Sequence, residues 1–297
     1  MIKTAGRRLE PEREIRRPFA ALSEQLCFTV NLHVQSVPVA VDRLIELNLR
    51  SPEDSCLGIR DDKFWADFLS VDPTDWSTIG VSIQPHVGLR GYRGLWCFRR
   101  NRRIVVSAPA PWVSRLTEVI ARRDQDDDLM LPTFWAQALG PDFERAIGPA
   151  FQGCLDPARF EHQPNSAARP VYDSDRAAVE QFRAACGPDW NGGGLDKAGF
   201  WRHAYFEEGQ ITAMAGYRAW ADDAGDPCVL TRSDVRSGGR GAAVTAAVVA
   251  EALANGKLLL YQTLESNQPA VRIALSLGYD RYANHLAVRL NHEAPEP

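Results

Sequence analysis

The sequence predicts a mixed α/β protein organised as two domains. Three observations predict this. The chain has 297 residues, longer than an ordinary single domain. Its apolar residues follow a period of two in some stretches and helical spacing in others. A glycine-rich turn, Ser237 to Gly241, joins an apolar strand to an apolar helix, the unit from which α/β layers are built.

The elements read in order along the chain. Phe28, Val30, Leu32 and Val34 alternate between Cys27 and Ser36, as in a half-buried strand. Val41, Leu44, Ile45 and Leu49 then follow helical spacing over 38–49. Leu95–Phe98 and Ile104–Val106 flank a polar turn at Asn101, which predicts a hairpin over 94–108. Trp112, Val113, Leu116, Val119 and Ile120 share one helical face. A charged break at 124–128 precedes a helix over 132–139, which Gly140-Pro141 stops. The stretch 148–170 carries Pro149, Pro157, Pro164 and Pro170 and reads as a loop-rich boundary. It divides the chain into an N-terminal α/β domain, 1–155, and a C-terminal domain, 168–292.

After the boundary the pattern becomes regular. A short strand at 170–172 leads into a helix that ends at Cys186 and is capped by Asp173 or Ser174. Glycines 187 and 192–194 break the chain. A hairpin over 201–219 turns at Glu208-Gly209, and the next strand runs to Thr231. The glycine loop opens a helix over 242–254, closed by Asn255-Gly256. A strand over 258–263 follows, then a helix from Pro269 to Leu277 with Gly278 after it, and a last strand over 282–290.

Composition excludes several classes. The net charge of -4 lacks the basic excess of a nucleic-acid binder. The N-terminal arginines alternate with Glu10, Glu12 and Glu14, so they read as a solvated segment and not as a targeting peptide. No apolar run reaches the roughly 18 residues that span a bilayer. The six cysteines and six histidines are scattered, with no metal-ligand spacing. The expectation is a cytoplasmic protein with reduced thiols, no bound metal, and no nucleic-acid or membrane partner.

The chemistry concentrates in Thr231-Arg-Ser-Asp-Val-Arg236-Ser-Gly-Gly239-Arg-Gly241-Ala242. Glycines there let the backbone approach a ligand, and the helix start adds partial positive charge. Together they suit a pyrophosphate, with Arg236 and Arg240 able to add charged contacts. The loop is neither a dinucleotide fingerprint nor a P-loop. Arg236-x-x-Gly239-x-Gly241 resembles the acetyl-CoA signature of the GNAT superfamily of N-acetyltransferases. Leu264-Glu265-Ser-Asn267 and Ala274-Leu-Ser-Leu-Gly278-Tyr279 are similar to that family's second motif. The resemblance covers about 170–290 and implies a central mixed sheet flanked by helices.

It further implies a cosubstrate, acetyl-CoA, and an amine acceptor, either a small molecule or a peptide. The strand Val229, Leu230, Thr231 would face the pantetheine arm. Arg236, Ser237, Gly238, Gly239, Arg240, Gly241 and Ala242 would hold the pyrophosphate, and Asn267 would line the site, a role compatible with capping the helix that Pro269 opens. Glu265 is the preferred catalytic base; Glu207, Glu208, Asp223 and Asp226 are further carboxylates nearby in sequence. The sequence departs from the family at Ser237, where Gly is frequent, at Ser233, where Pro is frequent, and at Ala274, where many members carry the Tyr that acts as general acid. Water, Tyr261 or Tyr279 would then replace that acid, or the thiolate would leave unassisted. Ala274 also admits a second reading, a CoA-binding sensor without catalysis.

In the N-terminal half, Arg90-Gly91-Tyr92 repeats part of the loop motif, but a strand follows it, so turns are expected there. The element order of this half echoes the C-terminal half, as a degenerate copy would. Its five tryptophans from Trp65 to Trp135 are expected in a core. Its expected role is to cover one side of an acceptor cleft. A homodimer is compatible with all of this.

Overall fold

The computed structural model describes residues 57–124, 128–160, 165–192, 203–219 and 224–291. The strand and helix expected over 27–49 lie outside them, as do Cys27, Cys56 and Asp223. Among the described residues the fold is mixed α/β, with two sheets flanked by helices. None of the helices is long and apolar enough to cross a membrane.

The N-terminal half begins with α1 (Leu57–Leu69), then β1 (Gly80–Pro85), β2 (Gly94–Arg100) and β3 (Arg103–Ala108). Helices α2 (Val113–Ala121) and α3 (Pro132–Leu139) follow, then strand β4 (Phe143–Leu155). The β2–β3 turn places Asn101 at φ 53°, a left-handed conformation that asparagine tolerates. Arg90-Gly91-Tyr92 leads into β2, as its sequence predicts. The parallel pair β1/β3 is separated in sequence by β2 and not by a helix.

The C-terminal half runs β5 (Ala168–Pro170), α4 (Arg176–Cys186), α5 (Pro188–Gly192), β6 (His203–Glu207), β7 (Gln210–Ala219) and β8 (Ala224–Thr231). Then come α6 (Arg240–Ala254), β9 (Leu258–Leu259), β10 (Tyr261–Leu264), α7 (Gln268–Ser276) and β11 (Tyr279–Leu290). This is the order read from the sequence over 170–290, with α5 added.

Two expectations need correction. The sequence predicts no element between 50 and the hairpin at 94, yet α1 and β1 are there. The helix 57–69 was hidden by five charged residues, but Trp65, Ala66, Phe68 and Leu69 are all buried on one face. The stretch beginning at Gly148 is not loop throughout, because β4 runs on to Leu155. Pro149 is accommodated by a register shift. His285 pairs with Ala150 and Ala287 with Ile147, so Gly148 and Pro149 together face only Leu286. Gly148 sits at φ 129°, a conformation that favours glycine.

The sheets have the orders β1-β3-β2-β11-β4-β10 and β5-β6-β7-β8-β9. Strand β11, from the chain's end, therefore lies between two strands of the N-terminal half. Strands β9 and β10 are separated by Leu260 alone, so one nearly continuous segment joins both sheets. The tryptophans 65, 76, 96, 112 and 135 are all buried, as expected. Trp65 packs with Phe98, Leu258, Leu260 and Ala283 beneath α1. On the other face, Tyr261 and Tyr279 pack with Val244 of α6 and Val271 and Ala274 of α7.

Candidate active site at a strand fork

The site is built on β8. One edge of β8 pairs with β7 in continuous register from Ala219↔Gly225 to Ala213↔Thr231. The other edge pairs with β9 only at Ala224↔Leu258 and Gly225↔Leu259. Leu260 still donates its N–H to the Gly225 carbonyl at 2.8 Å. Beyond it, β10 pairs with β4 instead, Tyr261↔Gly153 through Leu264↔Ala150. Strands β8 and β10 thus part company as the sides of a fork. At its root the buried Asp226 carboxylate accepts the Gln262 N–H at 3.4 Å.

The register decides which backbone groups face the fork. Arg232 donates its N–H to the Thr212 carbonyl at 3.0 Å, just past the paired residues Ala213 and Thr231. Antiparallel pairs alternate between bonded and non-bonded positions. Leu230 and Cys228 therefore bond β7, whereas Val229 and Thr231 direct their N–H and C=O groups toward the fork. The side chains alternate as well: Leu230 is buried toward α4, and Val229 packs toward α6.

The loop after β8 turns in a short 3-10 helix, Ser233–Val235, and then reverses at Ser237 (φ 69°) and Gly239 (φ 76°). Gly239 is the N-cap of α6 and supplies no side-chain cap. The first-turn N–H groups of Arg240, Gly241 and Ala242 have no preceding turn to bond, and the helix adds its positive end. Gly241 is required for packing. A Cβ there would lie 2.9 Å from Thr231 Oγ1 and 3.3 Å from Ile273 Cδ1. The missing side chain lets α6 seat against β8 and α7 together.

The motif arginines are held by the chain itself. Arg236 Nη2 pairs with Asp189 at 2.8 Å, and its Nε donates to the Thr231 carbonyl at 3.3 Å. Arg240 Nε pairs with Glu207 Oε2 at 2.6 Å, and Nη1 donates to the Val235 carbonyl at 3.0 Å. These bonds fix the loop to α5 and β6. The Arg240 hydrogen bond also holds the Glu207 carboxyl below its usual range. Both guanidiniums would exchange partners to meet an anionic ligand.

Asn267 is the N-cap of α7, with Oδ1 accepting the Ala270 N–H at 3.5 Å. Glu265 is ion-paired: Oε1 accepts from Arg281 at 2.6 Å and from Asn284 Nδ2 at 2.7 Å, both on β11. Glu208 occupies the β6–β7 turn at φ 50°. Ala274 is fully buried beside Tyr261 and Tyr279, whose ring centroids lie 5.2 Å apart. Burial pushes both phenols well above their usual range.

Sequence reasoning missed a second polar set, on the α1 side of the fork. Asp61 of α1, Gln152 of β4 and Gln262 of β10 are all buried. Burial pushes the Asp61 carboxyl up to about 7, against the opposing pull of Arg100 and Arg60. The available signal was Asp61 standing four residues before Trp65, on the apolar face of a helix.

No protein-family model and no curated protein matches the chain. Solved structures to which it is similar include acetyltransferases of the GNAT family. A GNAT-family protein from Novosphingobium aromaticivorans is 23% identical, over 49% of this chain and 65% of that one, with a TM-score of 0.41. A GNAT-family acetyltransferase from Colwellia psychrerythraea is 11% identical, over 79% of this chain and 96% of that one, with a TM-score of 0.44. A GCN5-related N-acetyltransferase from Kribbella flavida is 19% identical, over 53% and 64%, with a TM-score of 0.40. The chain spans under two thirds of the first and third of these proteins. The likeness is one of fold, and the reading of the site rests on its own residues.

Proposed function

We propose that the protein is an N-acyltransferase that uses acetyl-CoA, or a related acyl-CoA, to acylate an amine. The carrying observation is the fork itself. A glycine-capped helix N-terminus stands at its open end, and the backbone groups of Val229 and Thr231 that face away from β7 line one side. The residues present fit the cosubstrate: the first-turn N–H groups of α6 follow a glycine N-cap that lays no side chain over them.

Acetyl-CoA supplies an activated acyl thioester. In this reading the N–H groups of residues 237–242 bind its pyrophosphate, with Arg236 and Arg240 adding charge. The Val229 N–H binds the acyl carbonyl, where donors aimed at developing negative charge are worth about 3–4 kcal/mol in the transition state. Asn267 fixes the entry of α7 beside the site. Glu265 has its second carboxylate oxygen to offer as a proton acceptor, while Arg281 and Asn284 orient the first. Ala274 leaves no phenol at the position of the expected acid, which favours departure of the CoA thiolate without a protein acid.

Calorimetry of acetyl-CoA against wild type and Gly239→Glu tests the reading. The new carboxylate repels pyrophosphate and strains the left-handed position. Binding by wild type, lost in the variant, is expected. A folded wild type that binds no acyl-CoA would sink the proposal. Binding without turnover on any amine would leave the sensor reading that Ala274 supports.

A further inference from the structure

The α1 side of the fork carries polar atoms that the fold does not use. Gln152 and Gln262 are register partners on β4 and β10, so their side chains stand side by side on one face. That face also carries Leu260 and Ala283, which pack against Trp65 of α1. Asp61 belongs to the same helix face, one turn before Trp65. Its charge is felt at Cys154, two residues beyond Gln152 on β4, and at Tyr282 and Tyr279 of β11. Asp61 is 1% exposed, Gln152 0% and Gln262 8%.

Among the described residues, four side-chain atoms of this set have no hydrogen-bond partner: Asp61 Oδ1, Gln152 Oε1, Gln152 Nε2 and Gln262 Nε2. Buried polar groups are nearly always paired, so each exception calls for a cause. A fold selected only for stability would place leucine or methionine at positions 152 and 262. The four atoms also form a pattern, with two acceptors, a carboxylate and an amide oxygen, standing with two amide N–H₂ donors. The complement is a group with several N–H donors next to an oxygen acceptor. A primary ammonium fits the first part, and a hydroxyl or carbonyl oxygen close to it fits the second.

We infer that Asp61, Gln152 and Gln262 form a pocket for a primary amine bearing a neighbouring hydroxyl or carbonyl oxygen, an amino alcohol or an amino-acid amide, and that this amine is the acyl acceptor. The identification as acceptor rests on the acyl-transfer reading. Gln262 is on the fork strand β10, and its N–H reaches Asp226 at the fork's root. The pocket lies on the sheet face opposite α6 and α7, since Tyr261 points to those helices and its neighbours Leu260 and Gln262 to the other side. Asp61 comes from the N-terminal half, which thereby supplies part of the acceptor site and not only its cover.

The test uses the full chain and two probes, ethanolamine and glycinamide, followed by thermal melting. Both bind the folded state and raise the melting temperature of wild type with concentration. Propylamine, which has no oxygen, raises it less. Gln152→Leu removes two unpaired atoms, so the variant without ligand melts about 2–4 °C above wild type and its response to both probes is lost. Asp61→Asn likewise loses the response. A Gln152→Leu chain that melts below wild type, or does not fold, shows that the amide serves the fold through fixed water and overturns the inference. So does a wild type indifferent to both probes, or an Asp61→Asn chain that responds as wild type does. Acetyl-CoA titrated into the same wild type separates the two proposals. Acyl-CoA binding without an amine response sinks the pocket alone, and an amine response without acyl-CoA binding sinks the acyl-transfer reading and with it the acceptor role, leaving the amine pocket.

Discussion

The two sides of the fork are built from opposite materials. On the α6 side, the recognition elements are backbone groups exposed by glycine, and the charged side chains near them are paired with one another. On the α1 side, the elements are long polar side chains buried in a tryptophan-rich core, several of them unpaired. The first side is assembled from consecutive residues, 229–242. The second takes one residue each from α1, β4 and β10. The comparison teaches that a backbone cradle carries little cost without its ligand, because the charged side chains beside it pair with one another. A buried side-chain pocket stores a cost that only a ligand or water removes.

Four variants break or sharpen this contrast. Trp65→Ala should have the largest effect. It empties the space between α1 and β2 and should cost about 3–5 kcal/mol in denaturant unfolding. A loss below about 1 kcal/mol would mean that α1 is not a structural part of the fork.

Asp61→Asn comes next, and its effect depends on pH. The folded carboxyl is raised to about 7, above its unfolded value of about 3.9. Its contribution to stability is therefore complete below about pH 4 and lost as pH rises through 7. Burial raises it, and the charges that face it, Arg100 and Arg60, only partly offset that burial. Asp61→Asn should thus be more stable than wild type at pH 8, by on the order of 2 kcal/mol, with the gap closing toward pH 5. A gap independent of pH would show that Asp61 ionises freely.

Gly241→Val should cost about 1–3 kcal/mol by overpacking against Thr231 and Ile273. It should also lower acetyl-CoA affinity at least as much as Gly239→Glu, since α6 moves off β8. Unchanged affinity would dissociate the helix seat from the cofactor site. The smallest effect is expected from Arg240→Ala. Glu207 is held low chiefly by its hydrogen bond with Arg240, so its carboxyl should return toward its usual value in an NMR titration. The fold should otherwise be unchanged, because exposed ion pairs contribute little.

The elements from 168 to 290 were legible because each carries its own punctuation. Asn255-Gly256 and Gly278 stop helices, Pro269 starts one, and Glu208-Gly209 turns a hairpin. Asn267 was legible in one of its roles, as a helix cap. In the N-terminal half, β4 was obscured by Gly148-Pro149, which normally breaks a strand. Only the register shift against β11 shows how the pair is carried. Helix α1 was obscured by its charges, because an aspartate on an apolar face weakens the periodic signal that would reveal the helix. Glu265 looked available in the sequence, and its pairing with Arg281 and Asn284 emerges only when β10 and β11 are placed.

The sequence by itself determined the mixed α/β class, the glycine loop and its place between strand and helix. These depend on dihedral preference and hydrophobic period, which act over a few neighbouring residues. The tertiary structure alone decided that β8 and β10 diverge, that β11 crosses into the N-terminal sheet, and that Gln152 and Gln262 stand as register partners. Those outcomes come from strand pairing and burial between residues far apart in the chain, and no local preference encodes which distant partner a strand edge will take.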